Sequence, residues 1–355
     1  MIVIIKDPAC IAPDYSASRH KFIEGVNNPI SFKDIAQLEA KASGCLKLIA
    51  IHQILKFLVD VPEFDFENYK YNNSTIFSRP ASSCQLPTGP AFATCQYMLD
   101  LLHIDEVSYE GNNRILEEWF RQLRLDPKGD HLVVWAGNQL TVSRICGLKR
   151  FRCMDLNSHN QLEFLKPIFG WFHAQIAVEH FLHLQYWGTR AGNGLVHLFE
   201  LRNRKGLSSP SIQGVFHQNI KEGLTDVAAA CFRNIWCTVG KVKDLKALNK
   251  LTPERLEEMA TQIVQEFASV HALHSMSARP GDMQDDVLSQ AILWNKDILD
   301  YLALNDTISL GDIVMIQDLL PQLLFRFVGR TNLKYVLKVL ELIQGLYHEW
   351  PKDLQ

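Results

Sequence analysis

The chain has 355 residues, 47% of them hydrophobic and 21% charged, which is long enough to bury a sizeable core in roughly two domains. The formal net charge of −3 and the pI near 6.5 argue against a protein whose whole surface binds nucleic acid, but they do not exclude local basic patches. The composition is that of an ordinary globular protein.

The sequence predicts neither a signal peptide nor a transmembrane helix. The apolar start, Met1 to Lys6, is too short for a signal peptide and is typical of a stray strand or a cut edge. The longest apolar stretch, Leu46 to Val59, contains polar residues such as Lys47 and His52, so it does not predict a transmembrane helix. The eight cysteines include no CxxC pair, and in a reducing compartment most of them are expected to be buried small hydrophobic residues rather than disulfides or zinc ligands. We therefore expect an intracellular protein, cytoplasmic or nuclear, without a membrane partner.

The first third of the chain predicts helices and one long connection. A capping pattern begins at Ser31, and apolar residues recur at helical spacing after it, which predicts a helix over about residues 32–60. Residues 67–90 are rich in Asn, Ser, Thr and Pro and predict a surface loop or linker. Two further helices are predicted near residues 93–102 and 112–125.

A strand–helix–strand–helix pattern follows in the middle of the chain. His131 to Ala136 is an apolar run that predicts a short buried strand, and residues 141–150 predict the helix after it. Pro167 to His173 predicts a second short strand, followed by a helix over residues 174–187. At this spacing the two strands are expected to lie side by side in parallel.

From Gly194 onward the pattern is helical almost throughout, and we find no internal repeat. Thr252, Pro253 and Glu254 give the clearest helix start, because they suit the cap, the first turn and the helix dipole in that order. The predicted helices cover residues 195–204, 212–239, 252–275, 285–304, 311–327 and 332–350.

These elements predict a mainly α protein with a small α/β core, whose sheet is few-stranded and partly parallel. We predict three regions along the chain. Residues 1–92 form a helical segment and linker, residues 93–193 form the α/β core, and residues 194–355 form a large helical region packed on that core as one unit.

A prediction of chemistry depends on Asn138. It follows Gly137 at the end of the first predicted strand, where α/β enzymes usually present a catalytic or metal-binding group. Such chemistry usually requires Asp rather than Asn. The alternative is structural, because Asn tolerates a left-handed turn and caps helices well. His173, at the end of the second predicted strand, is the neighbouring candidate.

Histidines and basic residues offer two other readings. His173, His180 and His183 share one helix face and raise the alternative of a zinc-dependent hydrolase, although no fourth ligand is evident. Basic residues that could contact nucleic acid form two clusters, for which solvated helix faces and loops are the alternative. The clusters are Arg144, Lys149, Arg150 and Arg152, and Lys241, Lys243, Lys246 and Lys250.

Several longer motifs of the sequence resemble those of one family. They are GNQLT at 137–141, FGWFH at 169–173, YWGT at 186–189, RKGL at 204–207, LLP at 319–321 with FRFVG at 325–329, and ELIQGLYHEWP at 341–351. From about residue 35 to its end, the chain resembles a large family of mushroom-forming fungi, the domain-of-unknown-function family numbered six-five-eight-nine. That family occurs in many diverged copies, as mobile elements do.

The resemblance implies an ancestral nuclease. In that family, the motif that corresponds to residues 137–141 normally has Asp where this chain has Asn138. The arrangement is similar to the second catalytic region of Mutator-like transposases with a ribonuclease-H-like core. A site of that kind would hold two Mg²⁺ ions between three carboxylates, activating water and stabilising the leaving oxygen of a phosphodiester.

This chain departs from the family pattern at two positions. The neutral amide of Asn138 cannot neutralise a divalent ion, and Lys338 stands where the family tends to have Glu, although Glu341 is retained. The chain also reads as clipped at both ends. We therefore predict a degenerate, catalytically inactive, metal-free protein without a cofactor, with Asn138, His173 and Glu341 as a remnant site. The alternatives are a helical module that binds nucleic acid or protein, and the zinc hydrolase.

Overall fold

The computed structural model of the protein describes residues 15–82, 84–92, 98–124, 132–188, 194–203, 206–209, 217–329 and 333–351. The described chain is mainly helical and contains a two-stranded parallel sheet, which confirms the predicted fold class. The strands are β1 (Val133–Gly137) and β2 (Leu165–Phe169). The helices are α1 (Tyr15–Val26), α2 (Phe32–Val59), α3 (Tyr109–Gln122), α4 (Gln139–Phe151), α5 (Trp171–Gln185), α6 (Leu195–Leu201), α7 (His217–Gly240), α8 (Pro253–Phe267), α9 (Val270–Ser277), α10 (Asp286–Leu310), α11 (Ile313–Gly329) and α12 (Leu333–Gln344), which a π-helical turn (Gly345–Glu349) follows.

Local sequence signals account for the helix starts that were predicted. The Ser31 hydroxyl donates to the Asp34 carboxylate at 2.7 Å just before the first residue of α2, and the pKa of Asp34 is lowered by these hydrogen bonds from Ser31. Thr252 caps α8 by accepting a hydrogen bond from the Arg255 amide at 3.4 Å, and Pro253 occupies the first helical position. Both predicted starts are confirmed.

The parallel pair of strands forms a β1–α4–β2 unit. Val133 lies opposite Leu165 and Gly137 opposite Phe169, so the two strands end together at the same edge of the sheet. Trp135 of β1 stacks on Trp119 of α3, with ring centroids 5.2 Å apart. The buried core of this unit consists of Leu116, Trp135, Ile145, Leu148, Leu162 and Leu165. The predicted parallel pairing is confirmed.

The second strand was predicted too late in the chain. It covers Leu165–Phe169 rather than 167–173, and Trp171 already begins α5. Gly170 follows the strand: its amide still donates to the Gly137 carbonyl at 2.8 Å, while its own carbonyl accepts the His173 amide at 3.1 Å in the first turn of α5. Pro167 does not open the strand but lies within it, which is possible because both strands of a two-stranded sheet have an open edge that needs no N–H donor.

Other predicted elements also differ from the structure. The predicted helix over 93–102 is absent from residues 98–102, and 93–97 lie outside the described residues, as do Met1 to Lys6. The predicted helix over 252–275 is two helices, because Ser269 interrupts it and caps α9. The predicted loop contains short 3₁₀ turns and the buried Tyr69. Helix α1 was not predicted.

The chain divides into two compact units. The first unit comprises the described parts of Met1–Gln37, Leu86–Ala174 and Leu320–Gln355, and it contains the β1–α4–β2 unit and α12. The second unit comprises the described parts of Leu38–Gln85 and Gln175–Leu319. The prediction of three regions in sequence order stays a prediction.

The second unit is built around α7 and the helices α8 and α10 that pack on it. Trp236 of α7 is fully buried, and its indole N–H donates to the Ile54 carbonyl at 3.1 Å. Phe232 stacks on Phe57 with ring centroids 5.2 Å apart. These contacts fix α2 beside α7 within the unit.

Helix α2 is long and apolar enough to cross a membrane by length and composition, and 39% of its most apolar window is buried inside the protein. The core helix of a globular protein can have the same composition. The expectation of an intracellular protein without a membrane partner stays a prediction.

Candidate functional site

Asn138 lies directly beyond the carboxyl end of β1 and caps α4. Its side-chain oxygen accepts a hydrogen bond from the Thr141 amide at 2.8 Å. Its backbone is extended, with φ −67° and ψ 165°, so the left-handed turn considered from the sequence is wrong and the cap is confirmed. The single side-chain oxygen of Asn138 is therefore engaged with the helix start.

His173 lies in the first turn of α5 rather than at the end of a strand. Its backbone carbonyl accepts a hydrogen bond from the Tyr335 hydroxyl at 3.0 Å. Tyr335 belongs to α12, which packs on α4 and β2, and its ring stacks on Phe327 with centroids 5.1 Å apart. Asn138 and His173 both follow the carboxyl ends of neighbouring strands, and their role as a remnant site stays a prediction.

Lys338 and Glu341 of α12 form an ion pair beside α4. Lys338 is only 7% exposed, and its Nζ lies 2.7 Å from Glu341 Oε2 and 3.6 Å from Cys146 Sγ. Cys146 follows Asn138 by eight residues (146 − 138), which is roughly 12 Å along a helix axis. The structure therefore brings Glu341 to the middle of α4 and not to its capped end.

The three histidines of α5 do not converge. His183 is fully buried, with Nε2 3.0 Å from the Leu207 carbonyl oxygen and its ring 4.8 Å from that of Trp187. Burial lowers the pKa of both His180 and His183, which favours their neutral forms. Among the described residues no group of three or more His, Cys, Asp or Glu side chains is arranged to hold a metal ion. This geometry gives the zinc alternative no support.

Residues 25–355 match a family that is described as a family of unknown function and numbered DUF6589. The chain belongs to DUF6589. The predicted family number is thereby confirmed. Comparison with curated proteins and with solved structures gives no match.

In this DUF6589 member, three of the four residues of the first basic cluster, Arg144, Lys149 and Arg152, make internal contacts. The Arg144 guanidinium lies 4.8 Å from the centroid of the Tyr109 ring. Lys149 Nζ donates hydrogen bonds to the backbone carbonyls of Leu162, which precedes β2, and of Leu165, which begins it. The Arg152 guanidinium donates to the side-chain oxygen of Asn113. The second cluster differs, because Lys241, Lys243, Lys246 and Lys250 are all exposed.

A buried polar cluster in the second unit was missed in the sequence. Glu179 of α5 is fully buried, accepts a hydrogen bond from the Tyr301 hydroxyl, and lies 2.7 Å from His217 Nδ1. Burial raises the pKa of Glu179 and also that of Tyr301. A Glu inside the apolar pattern of α5 was the available signal, but its two partners are 38 (217 − 179) and 122 (301 − 179) residues away.

Proposed function

We propose that this DUF6589 protein is a non-catalytic relative of a fungal mobile-element protein of the transposase or nuclease type, and that it binds nucleic acid without cutting it. The observation that carries the proposal is the cap at Asn138. An amide whose oxygen already accepts the Thr141 N–H at 2.8 Å is a poor ligand for a divalent cation.

The charge around Glu341 supports the same proposal. Two-metal phosphodiester chemistry needs several carboxylates with uncompensated charge. Lys338 places a buried ammonium 2.7 Å from Glu341, so the negative charge there is already neutralised by the protein. A cation beside this carboxylate would repel Mg²⁺.

The absence of cleavage is tested with supercoiled DNA in Mg²⁺ or Mn²⁺. We expect the wild-type chain not to nick it. Nicking by the wild type that Asn138→Ala abolishes would overturn the proposal.

Nuclease ancestry is tested with the double variant Asn138→Asp and Lys338→Glu. Asp caps helices as well as Asn does, so the change at 138 alone should preserve the fold and serves as a control. Mn²⁺-dependent nicking by the double variant would support a lost nuclease site. A folded double variant that binds no metal in calorimetry would contradict the ancestry.

Nucleic-acid binding is attributed to the segment between α7 and α8. Lys241, Lys243 and Lys246 are exposed there within six residues (246 − 241 + 1), where they can reach successive phosphates. Each phosphate contact adds about 0.7–0.9 to the slope of log K against log salt. Replacing all three with Gln should weaken DNA binding and reduce that slope by about 2–3.

The matched control replaces three exposed lysines of α2, Lys33, Lys41 and Lys47, with Gln. It makes the same change in net charge and should leave the slope nearly unchanged. Equal losses of affinity in both triple variants would show that only net charge matters and would contradict a binding segment at 241–246.

A further inference from the structure

The first unit contains a cavity of about 420 Å³, which Glu341 of the predicted remnant site lines together with residues that play no part in that site. Its walls come from α1, α4, β2 and α12, from Glu163 before β2, and from Glu349 and Trp350 after α12. This volume lies in the range of pockets that hold small organic ligands.

The charges at the cavity leave an excess of cations. Arg19 pairs with Glu163 at 3.2 Å, and Glu341 pairs with Lys338, so two of the three lining carboxylates are neutralised. The third, Glu349, has its pKa raised mainly by burial, which favours its neutral form. The remaining lining cations are Lys149, Arg150 and Lys166.

The Lys149 ammonium uses two of its three N–H donors within the protein. Its Nζ donates to the Leu162 carbonyl at 2.8 Å and to the Leu165 carbonyl at 2.6 Å. An ammonium group has three N–H donors, so one remains for a ligand in the cavity that Lys149 lines. Burial, and then the nearby charge of Lys166, lower the pKa of Lys149 to about 8, which an anion bound there would raise again.

Ser18 gives a second, independent indication of a ligand. The residue is 1% exposed, and its hydroxyl has no hydrogen-bond partner among the described residues. Buried hydroxyl groups are normally hydrogen-bonded, because an unpaired one has lost its hydrogen bonds to water without replacement. Ser18 lines the cavity, so a ligand with acceptor oxygens would satisfy it.

We propose that this cavity binds an organic phosphate monoester. Its phosphate would lie against Lys149, Lys166 and Arg150, with an oxygen on the Ser18 hydroxyl. The flat apolar part of the ligand would lie against Phe22 and Trp350, which line the same space. A phosphate monoester carries nearly two negative charges at neutral pH, which suits an excess of cations better than the single charge of a carboxylate.

The test is calorimetric titration of the whole chain with adenosine 5′-monophosphate. We expect the nucleotide to bind at least tenfold more tightly than adenosine or benzoate, because adenosine lacks the phosphate and benzoate carries a single charge. Inorganic phosphate should compete. Equal affinity for the nucleotide and for either comparison ligand, or no binding of the nucleotide, would overturn the proposal.

Three variants locate the site. Arg150→Gln and Lys166→Gln should each weaken nucleotide binding roughly tenfold, and Ser18→Ala should weaken it a few-fold. Arg114→Gln is the matched control, since Arg114 is an exposed arginine of α3 in the same unit that does not line the cavity. Binding that is insensitive to both Arg150→Gln and Lys166→Gln in folded protein would place the nucleotide elsewhere and overturn the assignment.

Discussion

Glu179 is a charged residue held in an apolar interior by two specific partners. Its carboxylate accepts from the Tyr301 hydroxyl and lies 2.7 Å from His217 Nδ1, while its second oxygen has no hydrogen-bond partner among the described residues. Burial raises the pKa of Glu179, since the low-dielectric interior disfavours the ionised form. The folded state therefore binds the Glu179 proton more tightly than the unfolded state does.

This raised pKa gives a signed prediction for Glu179→Gln. The favourable contribution of the protonated carboxyl is complete below pH 4.5 and is lost as the pH rises through the higher folded-state pKa. Gln resembles the protonated form, so Glu179→Gln should be at least as stable as the wild type at pH 7.5 and lose that advantage at pH 5. Urea denaturation at both pH values measures the difference.

Glu179→Ala is the contrasting variant, because it removes the acceptor of the Tyr301 hydroxyl as well as the charge. It should lower the free energy of unfolding by about 2–4 kcal/mol. If Gln and Ala were equally destabilising at pH 7.5, the ionised carboxylate itself would be stabilising, contrary to the direction of its pKa shift.

At the scale of elements, the pattern of apolar residues predicted the order β1, α4, β2, α5 and the parallel pairing. It misplaced the end of β2, because Phe169 to Phe172 is apolar throughout, whereas the chain turns into α5 at Gly170, whose carbonyl accepts hydrogen bonds from the His173 and Ala174 amides. Because the strand ends before Gly170, His173 lies in the first turn of α5 and not at the end of a strand as predicted. Capping signals predicted the helix starts more reliably, because a cap depends on local sequence alone. Ser31, Asn138 and Thr252 each accept a hydrogen bond from the amide three residues later.

The cap at Asn138 predicts how α4 responds to substitution. Asn138→Ala removes the acceptor of the Thr141 amide and should lower the free energy of unfolding by about 1 kcal/mol. Asn138→Asp retains the acceptor and should be as stable as the wild type. Thermal denaturation compares the three proteins. A tolerated Ala would mean that the α4 start is satisfied without this side chain.

At the scale of the whole molecule, the residues that matter for the candidate sites are distant in sequence. Lys338 reaches Cys146 across 192 residues, and the cavity joins α1 to the last described segment. A single sequence shows each cation or carboxylate but not its neighbour. That Lys338 opposes metal binding stays a prediction, and its pairing with Glu341 and its burial beside Cys146 of α4 could be found only from the fold.

The discontinuous first unit leads to a last prediction, for a chain that ends at residue 329. This deletion removes α12, whose Val339 and Ile343 are fully buried and whose Tyr335 hydroxyl bonds the His173 carbonyl. Amide hydrogen exchange should then accelerate in β1, α4 and β2, because opening of the first unit costs less. The helices α7, α8 and α10 belong to the second unit and should keep their protection. Equal acceleration in both units would show that they unfold as one cooperative block, and unchanged exchange in β1 would show that α12 is not needed to hold the sheet.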